Sequence, residues 1–465
     1  MLATRMDTAE LSRMLGGWAD PAVPLPEALA SSLIELIHAG FIPAGSALPA
    51  QRDCALALGV SRATVVAAYA VLEARGYLVS TRGSGSRVRS GSAKAAALVE
   101  GRLFSFTRTD VDVIDLSTGA LPASPVVRET LAEPLDEELR PYLDTDGYFP
   151  AGLPVLRQAI AEHLSGDGIP TQPQEILVTA GSQQATFLSL RSVVAAGDLT
   201  LVEDPSYRGG LEVLKTLGAR IEGVRTTPGG LDLALLERAA ARRPTALYCQ
   251  TSIHNPTGQT MPPRARAELA GIIAAHGMLT IEDCCSYDLT LQGPPAATLA
   301  GLVDPELLIS VGTLSKLFWG GLRIGWVRAS QSRIRQLLEL RKVEDLATSV
   351  VDQLHAVRLL KRADRARHQR RDMLTTHLSA TEEAIRAHFP DWTWRGIKGG
   401  SGLWIDTHSD ALALAETAKR ARVKLAPGPG FSAYDGHRSM LRLPVWHEPE
   451  LLERALHLTA TALRH

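Results

Sequence analysis

Residues 308–326 read Leu-Ile-Ser-Val-Gly-Thr-Leu-Ser-Lys-Leu-Phe-Trp-Gly-Gly-Leu-Arg-Ile-Gly-Trp. The apolar run Leu308–Val311 predicts a strand, and Thr313-Leu-Ser-Lys316 follows it, so Lys316 projects from a strand end into a cleft. A lysine so placed can form an imine with an aldehyde cofactor, provided its surroundings lower the amine pKa. Taken alone it is more often a surface lysine. Seven residues on, Arg323 stands in a glycine-rich setting suited to a phosphate.

Outward from this stretch, short apolar runs alternate with helical ones: Ile176–Thr179, Thr200–Glu203, Leu247–Gln250 and Leu279–Ile281. That alternation predicts an α/β domain around a mostly parallel sheet. Several strand ends carry chemistry for one ligand. Thr179-Ala-Gly-Ser-Gln-Gln184 ends a strand and opens a helix, offering the N–H groups of Ser182 and Gln183 to an anion. Asp283 is suited to a pyridinium nitrogen, which a carboxylate keeps protonated as an electron sink. Asn255, in His254-Asn-Pro-Thr-Gly258, can donate to a phenolic oxygen, and Tyr207 offers a face for stacking. Each has a plain alternative: Asn255-Pro-Thr-Gly is a good β-turn, and Asp283 could be an ordinary strand-end acid. Their combination in chain order is what carries weight.

A different pattern precedes this domain. Residues 24–40 predict a helix (Leu25, Leu29, Leu33, Leu36, Ile37) stopped by Gly40. A second helix spans about 50–58, with Gly59 turning the chain, and Ser61 caps a third over about 62–75. Tyr77–Thr81 and Arg87–Arg89 form a hairpin around Arg82-Gly-Ser-Gly-Ser86. This order is a winged helix-turn-helix. Arg62 and Thr64 occupy the first turn of the third helix, where an arginine can read guanine O6 and N7. The net charge of −1 over 465 residues hides a local excess: residues 50–94 hold seven Lys/Arg against two Asp/Glu, a net of +5. Such a patch suits phosphate contacts, although a solvated charged face would read the same.

Residues 1–89 thus form one domain, 90–111 a linker rich in small residues, and 112–465 a second domain. The latter divides into a large part, about 150–330, and a smaller subdomain, about 340–465. With 45% hydrophobic and 21% charged residues, the chain has a globular composition. No apolar run reaches a membrane span, and the amino terminus lacks a signal peptide's apolar region. Cys54, Cys249, Cys284 and Cys285 show no paired spacing, so neither a disulfide framework nor a metal site is expected. A cytoplasmic setting fits, with Cys284 and Cys285 as packing residues rather than redox sensors.

Residues 25–89 resemble the GntR-family winged helix through Phe41-Ile-Pro-Ala-Gly-Ser-Ala-Leu-Pro-Ala-Gln-Arg52, Leu58-Gly-Val-Ser-Arg-Ala-Thr-Val65, Leu72-Glu-Ala-Arg-Gly-Tyr-Leu78 and Gly83-Ser-Gly-Ser86. The resemblance implies binding to a double-stranded DNA operator as a dimer, with Arg52, Ser61, Arg62, Thr64 and Arg82 as contacts. Asp53-Cys54 departs from the family's usual Glu-Leu. Residues 112–460 resemble fold-type I aminotransferases, which implies pyridoxal 5′-phosphate (PLP) as cofactor. Lys316 would be the Schiff-base lysine, Asp283 the N1 partner, Asn255 the O3′ donor and Tyr207 the ring-stacking residue. Ser182, Gln183, Thr313, Ser315 and Arg323 would hold the phosphate, and Tyr148 would reach the phosphate of the dimer partner. Arg442, in Leu441-Arg-Leu443, would clamp an acid group. One departure stands out. Glu282-Asp-Cys-Cys-Ser-Tyr287 has cysteines where a tyrosine is usual, leaving Tyr287 as the candidate replacement at O3′.

The two modules together resemble the MocR subgroup of GntR regulators, which implies a head-to-tail homodimer. The leading expectation is a PLP-dependent transcription regulator that senses a small amino-acid-like amine through aldimine exchange at Lys316. PLP itself is a second candidate signal. The alternative of another class is a working aminotransferase with an appended DNA-binding domain.

Overall fold

The computed structural model describes residues 6–15, 18–19, 24–38, 41–42, 45–74, 77–81, 85–88 and 112–464. Arg82 at the expected wing tip and the expected linker over residues 90–111 lie outside the described residues.

The amino-terminal part contains Thr8–Leu15 (α1), Leu25–His38 (α2), Gln51–Leu58 (α3) and Arg62–Ala74 (α4). Leu29, Leu33, Ile37, Val65, Tyr69 and Leu72 share one buried core. Gly59, at φ +67°, closes α3 in the left-handed conformation that glycine adopts without a Cβ penalty. Ser61 Oγ accepts from the Thr64 N–H at 3.1 Å and so caps α4, as its position suggested. The wing pairs β1 (Leu78–Thr81) with β2 (Gly85–Val88), with Thr81 opposite Gly85. The second strand therefore begins before the expected Arg87, because Gly85 and Ser86 still face partners on β1. Two features were not expected. Gly45–Leu48 lines the other edge of β2, with Val88 N–H donating to Ser46 O at 2.9 Å and Leu48 N–H to Ser86 O at 2.9 Å. Helix α1 adds buried Leu11 and Leu15 to the core.

The second domain is built on an eight-stranded sheet. Its order is β4 (Ile176–Thr179), β11 (Gly325–Arg328), β10 (Leu308–Thr313), β9 (Thr280–Asp283), β8 (Ala246–Cys249), β5 (Leu199–Asp204), β6 (Arg220–Thr227), β7 (Gly230–Leu231). From β10 to β6 the neighbours are parallel, while β11 runs antiparallel to both flanking strands. Both faces are covered. Leu247 and Cys249 enter one core, and Tyr248 between them enters the other with Ile281, Ile309 and Val311. This two-sided burial is why the strands read as unbroken apolar runs rather than alternating ones.

The smaller subdomain is a four-stranded antiparallel sheet, β12 (Thr393–Trp394), β13 (Gly402–Asp406), β16 (Met440–Pro444) and β15 (Ala426–Pro427). A separate parallel pair joins β3 (Ile114–Asp115) to β14 (Val423–Lys424). The long helix Ala363–His388 packs Ala363 and Ala366 into the large core, and Leu374, Ala384 and Ile385 into the small one. Ile334 and Leu337 also belong to a large-sheet core. The division expected near residue 340 therefore falls inside that helix, and residues 114–116 join the small subdomain from the other end of the chain. Among the described residues, no single helix is long and apolar enough to cross a membrane.

Candidate functional site

In open α/β sheets ligands bind beyond the carboxyl ends of the strands. Here the ends of β4, β5, β8, β9 and β10 open on a cavity of about 340 Å³. Ser182, Gln183, Tyr207, Asn255, Asp283, Ser315, Lys316 and Arg323 all line it. Residues from 182 to 323 are thereby brought together.

Lys316 sits on a single helical turn after β10, closed by Phe318 N–H donating to Leu314 O at 2.9 Å. Its Nζ donates to Gly119 O at 2.8 Å. Burial, reinforced by the Arg442 cation, lowers its pKa to about 8. That is the condition an imine-forming lysine must meet. Asp283 is held at both oxygens: Tyr248 Oη donates to Oδ2 at 2.6 Å, and the Cys285 N–H donates to Oδ1 at 2.9 Å. Two donors fix the orientation of the carboxylate that would face a pyridine nitrogen.

The anion end is shaped by backbone. Helix Ser182–Arg191 starts at the cavity, and Gly181 before it has φ +89°. A Cβ on Gly181 would lie 2.8 Å from Arg323 Nη2, so only glycine lets this guanidinium approach the helix end. Helix N-terminus, arginine and Ser315 form a donor set without a carboxylate, which suits a phosphate. Tyr207 is oriented by its hydroxyl, which donates to Gln183 Oε1 at 3.2 Å. The Gln250 side-chain amide pairs reciprocally with the Asn255 backbone, at 3.2 and 3.1 Å, and fixes the Asn-Pro-Thr-Gly turn.

An adjoining recess is lined by His254, Asn255, Ser286, Lys316, Ser401 and Arg442. Arg442 extends from β16, is 4% exposed, and donates to Ser401 Oγ at 3.3 Å. Burial, then the neighbouring Arg208 cation, lowers its pKa to about 9. A buried guanidinium with one weak neutral acceptor is a strong site for an incoming acid group.

Two expected residues are placed differently. Tyr287 is not at the cofactor cavity: its hydroxyl donates to Asp167 Oδ2 at 2.6 Å and its ring is buried. The turn after β9, closed by Tyr287 N–H to Cys284 O, points residues 285 and 286 at the cavity and sends 287 into the core. Ser286, three residues after Asp283, and Cys285 therefore occupy the position in question. Thr313 stands behind Ser315: its Oγ1 accepts from the Ser315 N–H at 3.1 Å and lies 3.2 Å from Ile324 O. It braces Ser315 and does not line the cavity. Tyr148, expected at a partner's phosphate, is 58% exposed and does not line this cavity.

Sequence reasoning missed Tyr248, Ser286, Ser401 and Gly119. Tyr248 left one trace, a phenol inside an otherwise apolar strand. Cys284 and Cys285 are half-buried, and burial first, then neighbouring carboxylates, pushes both thiols well up. Cys284 packs against the core, whereas Cys285 also lines the cavity. On the winged helix, Arg52 and Arg62 are exposed, whereas Ser61 and Thr64 bond each other at 2.9 Å.

Residues 111–458 match the aminotransferase class I and II family. The chain belongs to that family. Residues 25–88 match the bacterial regulatory proteins of the gntR family, which makes the first domain a DNA-binding one. The transcriptional regulator YdcR of Escherichia coli is 28% identical over 92% of this chain and 96% of its own length. The pyridoxine biosynthesis transcriptional regulator PdxR of Corynebacterium glutamicum is 28% identical over 81% of this chain and 82% of its own. Among solved structures, the α-aminoadipate aminotransferase LysN of Thermus thermophilus, complexed with N-(5′-phosphopyridoxyl)-L-leucine, superposes with a TM-score of 0.71 at 25% identity. It covers 81% of this chain and 97% of LysN. The union of both modules is the MocR-type architecture, and its cofactor is PLP.

Proposed function

We propose that this chain is a PLP-dependent transcription regulator whose second domain senses a small amine bearing an acid group. The observation that carries the proposal is the pairing, in one chain, of an exposed reading helix with a complete lysine–aspartate–arginine cavity. Bound PLP supplies an aldehyde carbon that an amine can occupy and a ring that draws electrons from it. The residues do the rest. Arg442 binds the acid group, Lys316 supplies the amine that the effector displaces, Tyr207 and Asp283 orient the ring, and Ser182, Gln183, Ser315 and Arg323 hold the phosphate. An effector shifts the protein only by binding one arrangement better than another.

The DNA contacts are assigned to Arg52, Ser61, Arg62, Thr64 and Arg82, the last by sequence alone. A head-to-tail homodimer in the cytoplasm is part of this reading. Its support is an exposed apolar set, Leu131, Leu143, Val155 and Val351, on helices that pack together, with Tyr148 exposed as well. Tyr148 is assigned to the partner's phosphate.

The test is an absorbance and operator-binding titration of the purified protein with PLP and amino acids. A visible band lost in Lys316→Ala is expected, together with operator affinity that responds to an acid-bearing amine. Steady formation of a new amino acid from a 2-oxo acid would overturn the pure-sensor reading. A second reading, that PLP itself is the signal, is favoured by the name of the PdxR relative. It wins if PLP alone changes operator affinity and no amine adds to the change.

A further inference from the structure

Residues 114–122 lead from the stretch that joins the two modules into the cofactor cavity. At their start, β3 is tied to β14 by Ile114 N–H to Arg422 O at 2.9 Å and Leu116 N–H to Lys424 O at 2.8 Å. Beyond that point three cations, each from a different element, hold the segment by its carbonyls. Arg208 donates to Ser117 O at 3.0 Å, Lys316 Nζ to Gly119 O at 2.8 Å, and Arg370 to Pro122 O at 2.6 Å. Arg370 is 2% exposed and also donates to Leu317 O at 2.9 Å and Phe318 O at 2.6 Å. It thus caps the open carbonyl end of the turn that presents Lys316, where a positive charge is favourable. One guanidinium fixes both the turn that bears Nζ and the segment that bears its acceptor.

Two of these holds are permanent, since arginine keeps its proton at every physiological pH. The third is conditional on what Nζ is bonded to. We propose that Gly119 O reads the chemical state of Lys316, and that residues 114–122, positioned by Arg208 and Arg370, pass that state toward the winged helix. The inference rests on the function proposed above and names its regulation. While Nζ shares a double bond with the cofactor's aldehyde carbon, it keeps at most one N–H, fixed in the plane of that bond, and loses the freely rotating donors with which an amine meets Gly119 O. When an effector amine takes that carbon, the C=N bond to Nζ breaks as one to the effector nitrogen forms. From an unprotonated imine two protons pass from the incoming amine to Nζ, from a protonated one a single proton passes and the new imine keeps the other, and nothing is oxidised or reduced. Nζ then has N–H groups again, and Gly119 is held. Effector binding would thus tighten the segment that enters the site from the DNA-binding side.

Methoxyamine frees Lys316 in the same way without knowledge of the natural effector. Full-length protein loaded with PLP is compared by hydrogen exchange before and after methoxyamine, alongside Lys316→Met loaded with the PLP methyloxime. Exchange in peptides covering 114–122 is expected to slow about tenfold on methoxyamine treatment, the scale of one hydrogen bond to a charged group. Lys316→Met should stay fast with the same oxime bound, and peptides of the winged helix over 45–74 should shift in the wild type only. Equal rates before and after treatment, or a Lys316→Met as slow as the treated wild type, would overturn the reading by Gly119. A change confined to 114–122 would overturn the transmission. Loss of the cofactor site itself shows separately, as a PLP-loaded wild type with no Lys316-dependent visible band, and would overturn both.

Discussion

Gly181 and Lys316 show how far single residues decide this site. At Gly181 the backbone is left-handed and a Cβ would meet the Arg323 guanidinium at 2.8 Å. Gly181→Ala therefore pays for both strain and displacement of the arginine. A loss of about tenfold or more in PLP affinity is expected by absorbance titration, from a strain of about 1–3 kcal/mol. Lys316 makes a pH prediction. Its folded pKa of about 8 lies below the ordinary value of 10.5. Below pH 8 both folded and unfolded chains carry the proton, and the cost of burying the charge is fully present. Between these two values the unfolded chain binds more protons, so the stability of the cofactor-free protein rises with pH there. Covalent capture of PLP needs the neutral amine, so its rate at fixed PLP should climb through pH 8. A rate flat from pH 7 to 9 would contradict this placement of the lysine. Tyr287 is the counter-example at the same scale: its number relative to Asp283 suggested O3′, but a tight turn sends it to Asp167 instead.

Helix α4 separates two kinds of residue. Ser61 and Thr64 hold the start of the helix, and Arg62 between them is exposed. Ser61→Ala should cost the winged helix about 1 kcal/mol through loss of the cap, read as a lower denaturation midpoint of that domain. Arg62→Ala should leave the midpoint unchanged and weaken operator binding by about 1–3 kcal/mol, read by a binding titration at fixed salt. The elements themselves were largely legible because caps and turns are local: Gly59, Ser61 and the period of α2 each act within a few residues. Helix Ala363–His388 was not divisible from sequence, since its apolar positions face two different cores and only the packing tells them apart.

Across the whole molecule, the winged helix has a hydrophobic core of its own, separate from those around the sheet. Heating should therefore show two transitions. PLP at about 100 times its Kd adds about 2.7 kcal/mol to the state that binds it, so it should raise one transition by calorimetry and leave the other in place. A single transition that moves as a whole would mean that the two modules unfold together. Lys316→Ala should abolish most of that shift while leaving the winged-helix transition unchanged.

The sequence by itself made legible the two modules, most of their elements, and the lysine, aspartate, asparagine and arginine that meet at the cavity and its recess. These follow from signals that are short in range or carried by a residue's own chemistry: caps, turn glycines, apolar runs ending in a reactive side chain. The tertiary structure alone decided which neighbours serve them. Tyr248 reaches Asp283 from an adjacent strand, Gly119 O meets Nζ from 197 residues away, and Ser286 rather than Tyr287 faces the cavity. Such pairings depend on strand register and on the direction of a turn. Those are set by packing over the whole domain and leave no mark in the local sequence.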